Sequence, residues 1–355
     1  MANTPLRIVQ WTTGNVGRRS VRAISTNPRM QLVGCYAWSP DKIGCDVGEL
    51  SGISRLGVTA SDDVDMLLAL KPDCVVYNPM WPNTDELVRI LSSGANVVST
   101  ASFITGDHLG GDDKERIEAA CQRGGATIFG GGINPGFAQL LAVVSTLVCD
   151  RVDKITVTES GDSTLYDSPA TELPVGFGKP IDHPGLQEMT AAGTSVFKDA
   201  VGYLAEALGV TLDHIRCEAE YAQTTEPLDL PGNWRIEKGC VAGVDLRWKG
   251  LIGDREVIEI RMRWRKGQTL DPDWRFDRMG YEIEIAGQPT VKTALDILPP
   301  PDFPAETLAD FMVLGMIITA MPPLHAIPAV VAAAPGIATY NDLPLTLPRG
   351  IALGG

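Results

Sequence analysis

The sequence predicts an α/β protein: a doubly wound parallel sheet joined to a second, α+β domain with an open, mostly antiparallel sheet. Three observations carry this. Short apolar runs alternate with helical stretches from residue 6 to about 131, the pattern of successive βα units. Near residue 150 the pattern changes to long stretches of alternating apolar and polar residues, as in half-exposed antiparallel strands. After "LPPPDFPAETLADF" the chain turns helical again. The expected division is therefore 1–148 with 305–355 as the doubly wound domain, and 149–304 as the second domain.

Each element follows from its residues. "LRIVQW" (6–11) is a short apolar run suited to a buried strand. A Gly-containing turn leads into a helix from about Val16 to Ser25. "MQLVGCYAW" (30–38) and the shorter "GVTAS" (57–61) read as strands. "DDVDMLLAL" (62–70) is a helix with acids in its first turn, where the helix dipole favours them. "DCVVYNP" (73–79) is a strand closed by Pro79. "TDELVRILSSG" (84–94) is a helix with Thr84 as N-cap and Gly94 past its end. "NVVST" (96–100), "DKERIEAACQRGG" (113–125) and "ATIFGG" (126–131) continue as strand, helix and strand. In "NPGF" Asn134 reads as an N-cap with Pro135 at the first helical position.

Beyond residue 150, "KITVTES" is strand-like and "SVFKDAVGYLAEALGV" (195–210) helical. Four β-rich stretches follow at 214–225, 236–252, 255–267 and 280–287. Val241, Val244 and Leu246 are expected on an exposed apolar sheet face, which normally takes a partner; a homodimer through that face is the expectation. The last helix is expected over 305–321, followed by an apolar segment broken by prolines.

Composition narrows the function. The formal net charge is −14, which repels phosphates and argues against nucleic acid as a partner. The longest apolar run, "FMVLGMIITAM", spans 311–321, against the roughly 20 residues a bilayer takes, so no membrane span is expected. The N-terminus reads as the start of a strand, not a leader, and the expected location is cytoplasmic. Seven scattered cysteines form no C-x-x-C, and four histidines lie far apart; no metal site is expected.

"QWTTGNVGRRSVRA" (10–23) follows a strand and opens a helix, the setting of a dinucleotide-binding turn. Thr12 takes the place of the first glycine, and Gly14 and Gly17 the other two. Thr12, Thr13, Gly14, Asn15, Val16, Gly17 and Arg18 are thus the expected pyrophosphate cradle of a Rossmann fold. In NAD-binding folds an acid ends the second strand. Here Ser39 stands after Trp38, with Asp41 two residues further on and Lys42 next to it. Charge complementarity favours NADP, with NAD as the alternative.

These stretches resemble the dihydrodipicolinate reductase-like superfamily, and within it the branch of 2,4-diaminopentanoate dehydrogenase and the native amine dehydrogenases. The matching pieces are "VQWTTGNVGR" (9–18), "SPDKIGCDVGEL" (39–50), "VVYNP" (75–79), "NVVSTASF" (96–103), "GGGINPGF" (130–137) and "HAIPAVVAAAPGI" (325–337). The resemblance implies a nucleotide domain that the C-terminal segment rejoins, and dimers paired through the second sheet. It implies a nicotinamide near Asn78, Pro79, Thr100, Ala101 and Asn134. It also implies a C–N oxidoreductase acting on a small amine, ketone or aldehyde. One departure bears on mechanism. The branch carries a glutamate just after the strand matching "NVVST", and this chain has Ala101 and Ser102 there. Ser102, Asp107, Glu159 and Tyr166 are the remaining candidates for handling protons. Tyr166 belongs to "GDSTLYDSPATELPVGFG" (161–178), a long segment of little regular pattern and of a length often tied to function. Carbonyl or C=C reduction, or NADPH sensing without turnover, are the alternatives that need no such glutamate.

Overall fold

In the computed structural model of the protein, residues 4–166 and 168–348 are described. The chain divides into two compact units, Met1–Phe137 with Gly315–Gly355, and Ala138–Leu314.

The first unit begins β1 (Leu6–Trp11), α1 (Asn15–Thr26), β2 (Met30–Tyr36), α2 (Val47–Leu50), β3 (Ala60–Ser61) and α3 (Val64–Ala69). It continues with β4 (Cys74–Tyr77), α4 (Thr84–Ser92), β5 (Asn96–Ser99), α5 (Asp113–Gly124) and β6 (Thr127–Gly130). The C-terminal segment returns as β16 (Gly336–Ala338). The seven strands stand in the order β16-β6-β5-β4-β1-β2-β3, and their pairings are parallel. The order reverses between β1 and β4, so the carboxyl ends of these strands open a crevice at a topological switch point.

Strand residues alternate between the two faces, and both faces are covered. Val9, Val75 and Val97 face a cluster with Leu87, Ile90, Leu91 and Ile117. Ile8, Val76, Val98 and Phe129 face a second cluster with Ile24, Leu324, Ile327 and Val330. That is why these strands read as continuous apolar runs; burying each such side chain contributes about 1.5–3 kcal/mol.

The last helix, α10 (Met312–Ala332), departs from the sequence expectation. It does not stop at residue 321 but runs through Pro322, Pro323 and Pro328. Ala320, Pro323, Leu324, Ile327 and Val330 recur at helical spacing and are buried, so core burial outweighs the hydrogen bonds the prolines forgo. With the turn before it, Leu308–Ala332 is long and apolar enough to cross a membrane by length and composition. The apolar run of 311–321 understates it, because the helix continues through the prolines that follow that run.

The second unit holds α6 (Ala138–Thr146), β7 (Arg151–Asp162), α7 (Pro169–Glu172), α8 (Leu186–Gly193) and α9 (Val196–Ala207). Then come β8 (His214–Thr224), β9 (Leu228–Leu230), β10 (Trp234–Ile236), β11 (Val241–Ile252) and β12 (Arg255–Arg265). β13 (Leu270–Asp271), β14 (Gly280–Gln288) and β15 (Val291–Leu295) complete it. Its seven-stranded sheet runs β13-β8-β11-β12-β7-β14-β15. The β12–β7 pair is parallel and the other pairs are antiparallel. α6 packs on β14, β7 and β15, which draws residues 138–148 into this unit and not the first.

The expected exposed apolar face is a second correction. Val241, Val244 and Leu246 are fully buried, because α9 lies on β11 and β12 and supplies Phe197, Ala200, Val201 and Leu204. The opposite face is charged. Asp245 accepts from Arg261 and lies 3.5 Å from both Arg247 and Arg263. Lys249 pairs with Glu218 and Glu256, and Lys154 with Glu256 and Glu259.

Candidate active site

The turn between β1 and α1 takes the left-handed backbone that the fingerprint's first glycine would supply. Thr12 has φ +71°, a conformation that costs a non-glycine residue on the order of 1–3 kcal/mol. Its surroundings hold it there. Thr12 N donates to Tyr36 O at 3.0 Å, Thr12 Oγ1 donates to Asn78 O at 3.0 Å, and Thr12 O accepts from Gln10 Nε2 at 2.9 Å. A Cβ on Gly17 would lie 2.4 Å from Thr12 O, so only glycine lets the helix approach the strand so closely. A Cβ on Gly14 would meet nothing within 4 Å.

Gly14 is the N-cap of α1, with no side-chain cap and no acid in the first turn. The amides of Asn15, Val16 and Gly17 therefore keep their donor capacity at the positive end of a 12-residue helix. Arg18 is exposed on that first turn. Thr13 is buried, and its hydroxyl is without a hydrogen-bond partner among the described residues. An unsatisfied hydroxyl beside open helix amides fits an anionic, hydroxyl-rich ligand.

Behind the turn, one polar network ties three strand ends together. Asn78 Oδ1 accepts from Gln10 Nε2 at 2.8 Å and Ser20 Oγ at 3.1 Å. Asn78 Nδ2 donates to Thr100 Oγ1 at 2.8 Å. Thr12, Asn78 and Thr100, expected at the site from the sequence, are thus brought together. Gln10 and Ser20 were missed. The signal was available: Gln10 is the polar residue within the otherwise buried end of "LRIVQW", and a buried amide requires partners.

After β5 the chain turns sharply. Ala101 is buried and its amide donates to Ser99 Oγ at 3.0 Å. Ser102 has φ +41° and is partly exposed. Asn134 follows β6 in extended backbone, and Asn134, Pro135 and Gly136 are all non-helical. Asn134 is therefore not an N-cap with Pro135 in the first turn; α6 begins at Ala138. Pro79 directly follows Asn78 at the end of β4.

At the end of β2 the Ser39 hydroxyl donates to Asp41, and Lys42 N donates to Ser39 O at 2.9 Å. An acid therefore does engage this turn, two residues later than the expected position. Three arginines lie close to one another on α1. Burial, then Arg22 and Arg18, holds the Arg19 guanidinium below its ordinary range. Burial pushes the Cys35 thiol up to about 12, while Lys42 pulls it down.

The proton-handling candidates separate. Asp107 is exposed and paired with Lys114 at 2.6 Å. Glu159 and Tyr166 belong to the second unit. Glu159 Oε1 accepts from Trp264 Nε1 at 2.8 Å. Burial and Glu159 together hold the Tyr281 hydroxyl well above its ordinary range. Tyr166 is half-buried, its amide donating to Ser163 O at 3.0 Å.

The family described as the 2,4-diaminopentanoate dehydrogenase C-terminal domain matches residues 137–352, more than half of the chain. The chain belongs to the 2,4-diaminopentanoate dehydrogenase family. An amine dehydrogenase of Streptomyces virginiae is 30% identical over 302 residues, covering 81% of this chain and 84% of the relative. The 2,4-diaminopentanoate dehydrogenase of Acetoanaerobium sticklandii is 26% identical over 276 residues, covering 75% and 71%. Among solved structures, the amine dehydrogenase from Mycobacterium smegmatis superposes with a TM-score of 0.79 over 97% of both chains, at 20% identity. That likeness establishes the fold of this family member: a nucleotide-type parallel sheet rejoined by its C-terminal segment, with a mixed-sheet unit between.

Proposed function

We propose that this family member is an NAD(P)-dependent oxidoreductase of a C–N bond, an amine dehydrogenase that reductively aminates small ketones or aldehydes. The observation that carries the reading is the uncapped first turn of α1, open above Gly14 and braced by the Thr12–Asn78–Thr100 network. Bound there, a nicotinamide dinucleotide supplies hydride chemistry. The amides of Asn15, Val16 and Gly17 hold its pyrophosphate, and Thr13 donates its unpartnered hydroxyl. Thr100, Ala101 and Asn134 shape the site for the reacting ring.

Glu159 is the best supported proton-handling group, a half-buried carboxylate oriented by the Trp264 indole. Asp107, exposed and tied to Lys114, is the weakest. Ser102 is a further proton-handling candidate, and Phe137, Tyr166 and Phe177 favour a small apolar carbon chain.

NADP is the preferred cofactor in this reading, although Asp41 now stands against it. The mutual repulsion of Arg18, Arg19 and Arg22 is what a 2′-phosphate would relieve. The partner is a second copy of the chain, paired through the charged sheet face. Seven free cysteines accord with the reducing cytoplasm.

A panel of ketones and aldehydes, with and without ammonia and with each cofactor, tests the reading. Ammonia-dependent NADPH oxidation is the expected result. Ala101 and Ser102, where a carboxylate would steady an iminium, favour a second reading, reduction of a carbonyl or C=C bond. Robust turnover without ammonia would establish that reading instead. Tight NADPH binding with no turnover would leave a cofactor sensor.

A further inference from the structure

The end of β12 leads into a lysine with no exposed surface. Lys266 Nζ lies 2.9 Å from Glu172 Oε2, with side-chain exposures of 0% and 8%. The same ammonium donates to Ser163 O at 2.6 Å. It also sits over the Trp234 ring at 5.0 Å and the Phe177 ring at 5.8 Å. Burial pushes the Glu172 carboxyl up and Lys266 pulls it back down.

A buried ion pair is weak evidence for stability, because apolar residues of similar volume do as well or better. What this pair joins is more informative. Glu172 lies in the middle of the Ser163–Gly178 segment, whose described residues hold only α7 and a single 3₁₀ turn, Leu173–Val175. The start of the segment is gripped by backbone next to Lys266. Ser163 N donates to Arg265 O at 2.9 Å, and Gly267 N donates to Thr164 Oγ1 at 2.8 Å. Its far end is fixed where Gly178 N donates to Val241 O at 2.9 Å. Between these ties, the Lys266 side chain is a strut from the strand end to the centre of the segment. The segment it holds leaves Leu173 exposed and Tyr166 half-buried, an apolar surface on an otherwise irregular backbone.

We propose that the Lys266–Glu172 pair is a positioning device that fixes the described residues between Ser163 and Gly178 and so sets which carbon chain the enzyme accepts. The substrate part rests on the reading of the protein as an oxidoreductase of small C–N substrates. The positioning part does not.

The test compares Lys266→Met, Glu172→Leu and the double variant with the native full-length protein. Each single variant buries an uncompensated charge and is expected to melt lower. The double variant removes both charges and is expected to melt within about 3 °C of native. It should bind NADPH within about twofold, because the α1 turn is untouched. Hydrogen exchange in the peptide spanning 163–178 should be at least about tenfold faster than native. With ammonia and a series of methyl ketones of increasing length, KM for the best native substrate should rise about tenfold with kcat within about threefold, and the length preference should flatten.

Native protection of that peptide in a folded double variant overturns the positioning role, whatever the activity. Faster exchange with an unchanged length preference overturns the specificity role. If the native protein binds NADPH and turns over none of the ketones, the reading of the reaction fails, and with it the specificity role. Hydrogen exchange still decides whether the strut holds the segment.

Discussion

At the residue scale, Asn78 has the widest reach. Its side chain accepts from Gln10 and Ser20, donates to Thr100, and its carbonyl holds Thr12 in a strained turn. Asn78→Ala removes one partner each from Gln10 Nε2, the Ser20 hydroxyl and the Thr100 hydroxyl in a largely buried place, at about 1–3 kcal/mol in all. Cofactor affinity is expected to fall about tenfold or more by fluorescence titration, since Gln10, whose Nε2 also holds Thr12 O, loses its anchor on the Asn78 side chain. Unaltered affinity in a folded variant would detach the network from cofactor binding. The turn after β5 invites the converse change. Ser102 is partly exposed and already left-handed, so Ser102→Glu adds a carboxylate with little new strain. Ala101 is buried, and a glutamate there would bury a charge. Ser102→Glu is therefore expected to raise the ammonia-dependent rate about 10- to 100-fold, equivalent to roughly 1.4–2.7 kcal/mol of barrier. A slower enzyme would mean that the iminium does not sit beside this turn.

At the scale of elements, legibility follows the physics of burial. The βα alternation of the first unit could be read because each strand is covered on both faces, so its apolar run stands alone as a signal. The glycine turn was legible for the same local reason: strand, turn and helix are contiguous. α10 was not, because three prolines weaken a helix locally while the burial of Leu324, Ile327 and Val330 that overrides them is tertiary. The Lys266–Glu172 strut was not legible either, since 93 intervening residues and an irregular segment separate a lysine and a glutamate that look like ordinary surface charges. α10 also carries a pH-sensitive group. Burial holds His325 below its ordinary value of 6.5, so folding favours the neutral ring. Above the unfolded value both states are neutral and the contribution is fully present. As pH falls from there through the folded value, the unfolded chain takes the proton first and stability is lost. Thermal melting should therefore decline more steeply for the native protein than for His325→Gln between pH 6.5 and the folded value. Identical slopes would show that other groups set the acid limit.

At the scale of the whole molecule, the second sheet presents one covered apolar face and one charged face, and the charged face decides how a second copy would bind. Asp245 is 6% exposed at its side chain, with Arg261, Arg247 and Arg263 around it. Lys249 is 11% exposed between Glu218 and Glu256. These pairs already hold one another in place, so a second copy would meet charges with little side-chain freedom left to lose. If a second copy pairs through this face, the interface is electrostatic in character. Its screening length is about 10 Å at 0.1 M salt and about 3 Å at 1 M. The native protein is expected to sediment as a dimer at micromolar concentration in low salt and to shift toward monomer as salt rises. Asp245→Asn leaves three partly exposed guanidiniums facing a neutral amide and should dissociate the dimer before it unfolds the chain. A dimer that tightens with salt would point to an apolar surface in place of this face. A monomer at every salt concentration would remove the second copy from the proposed function altogether.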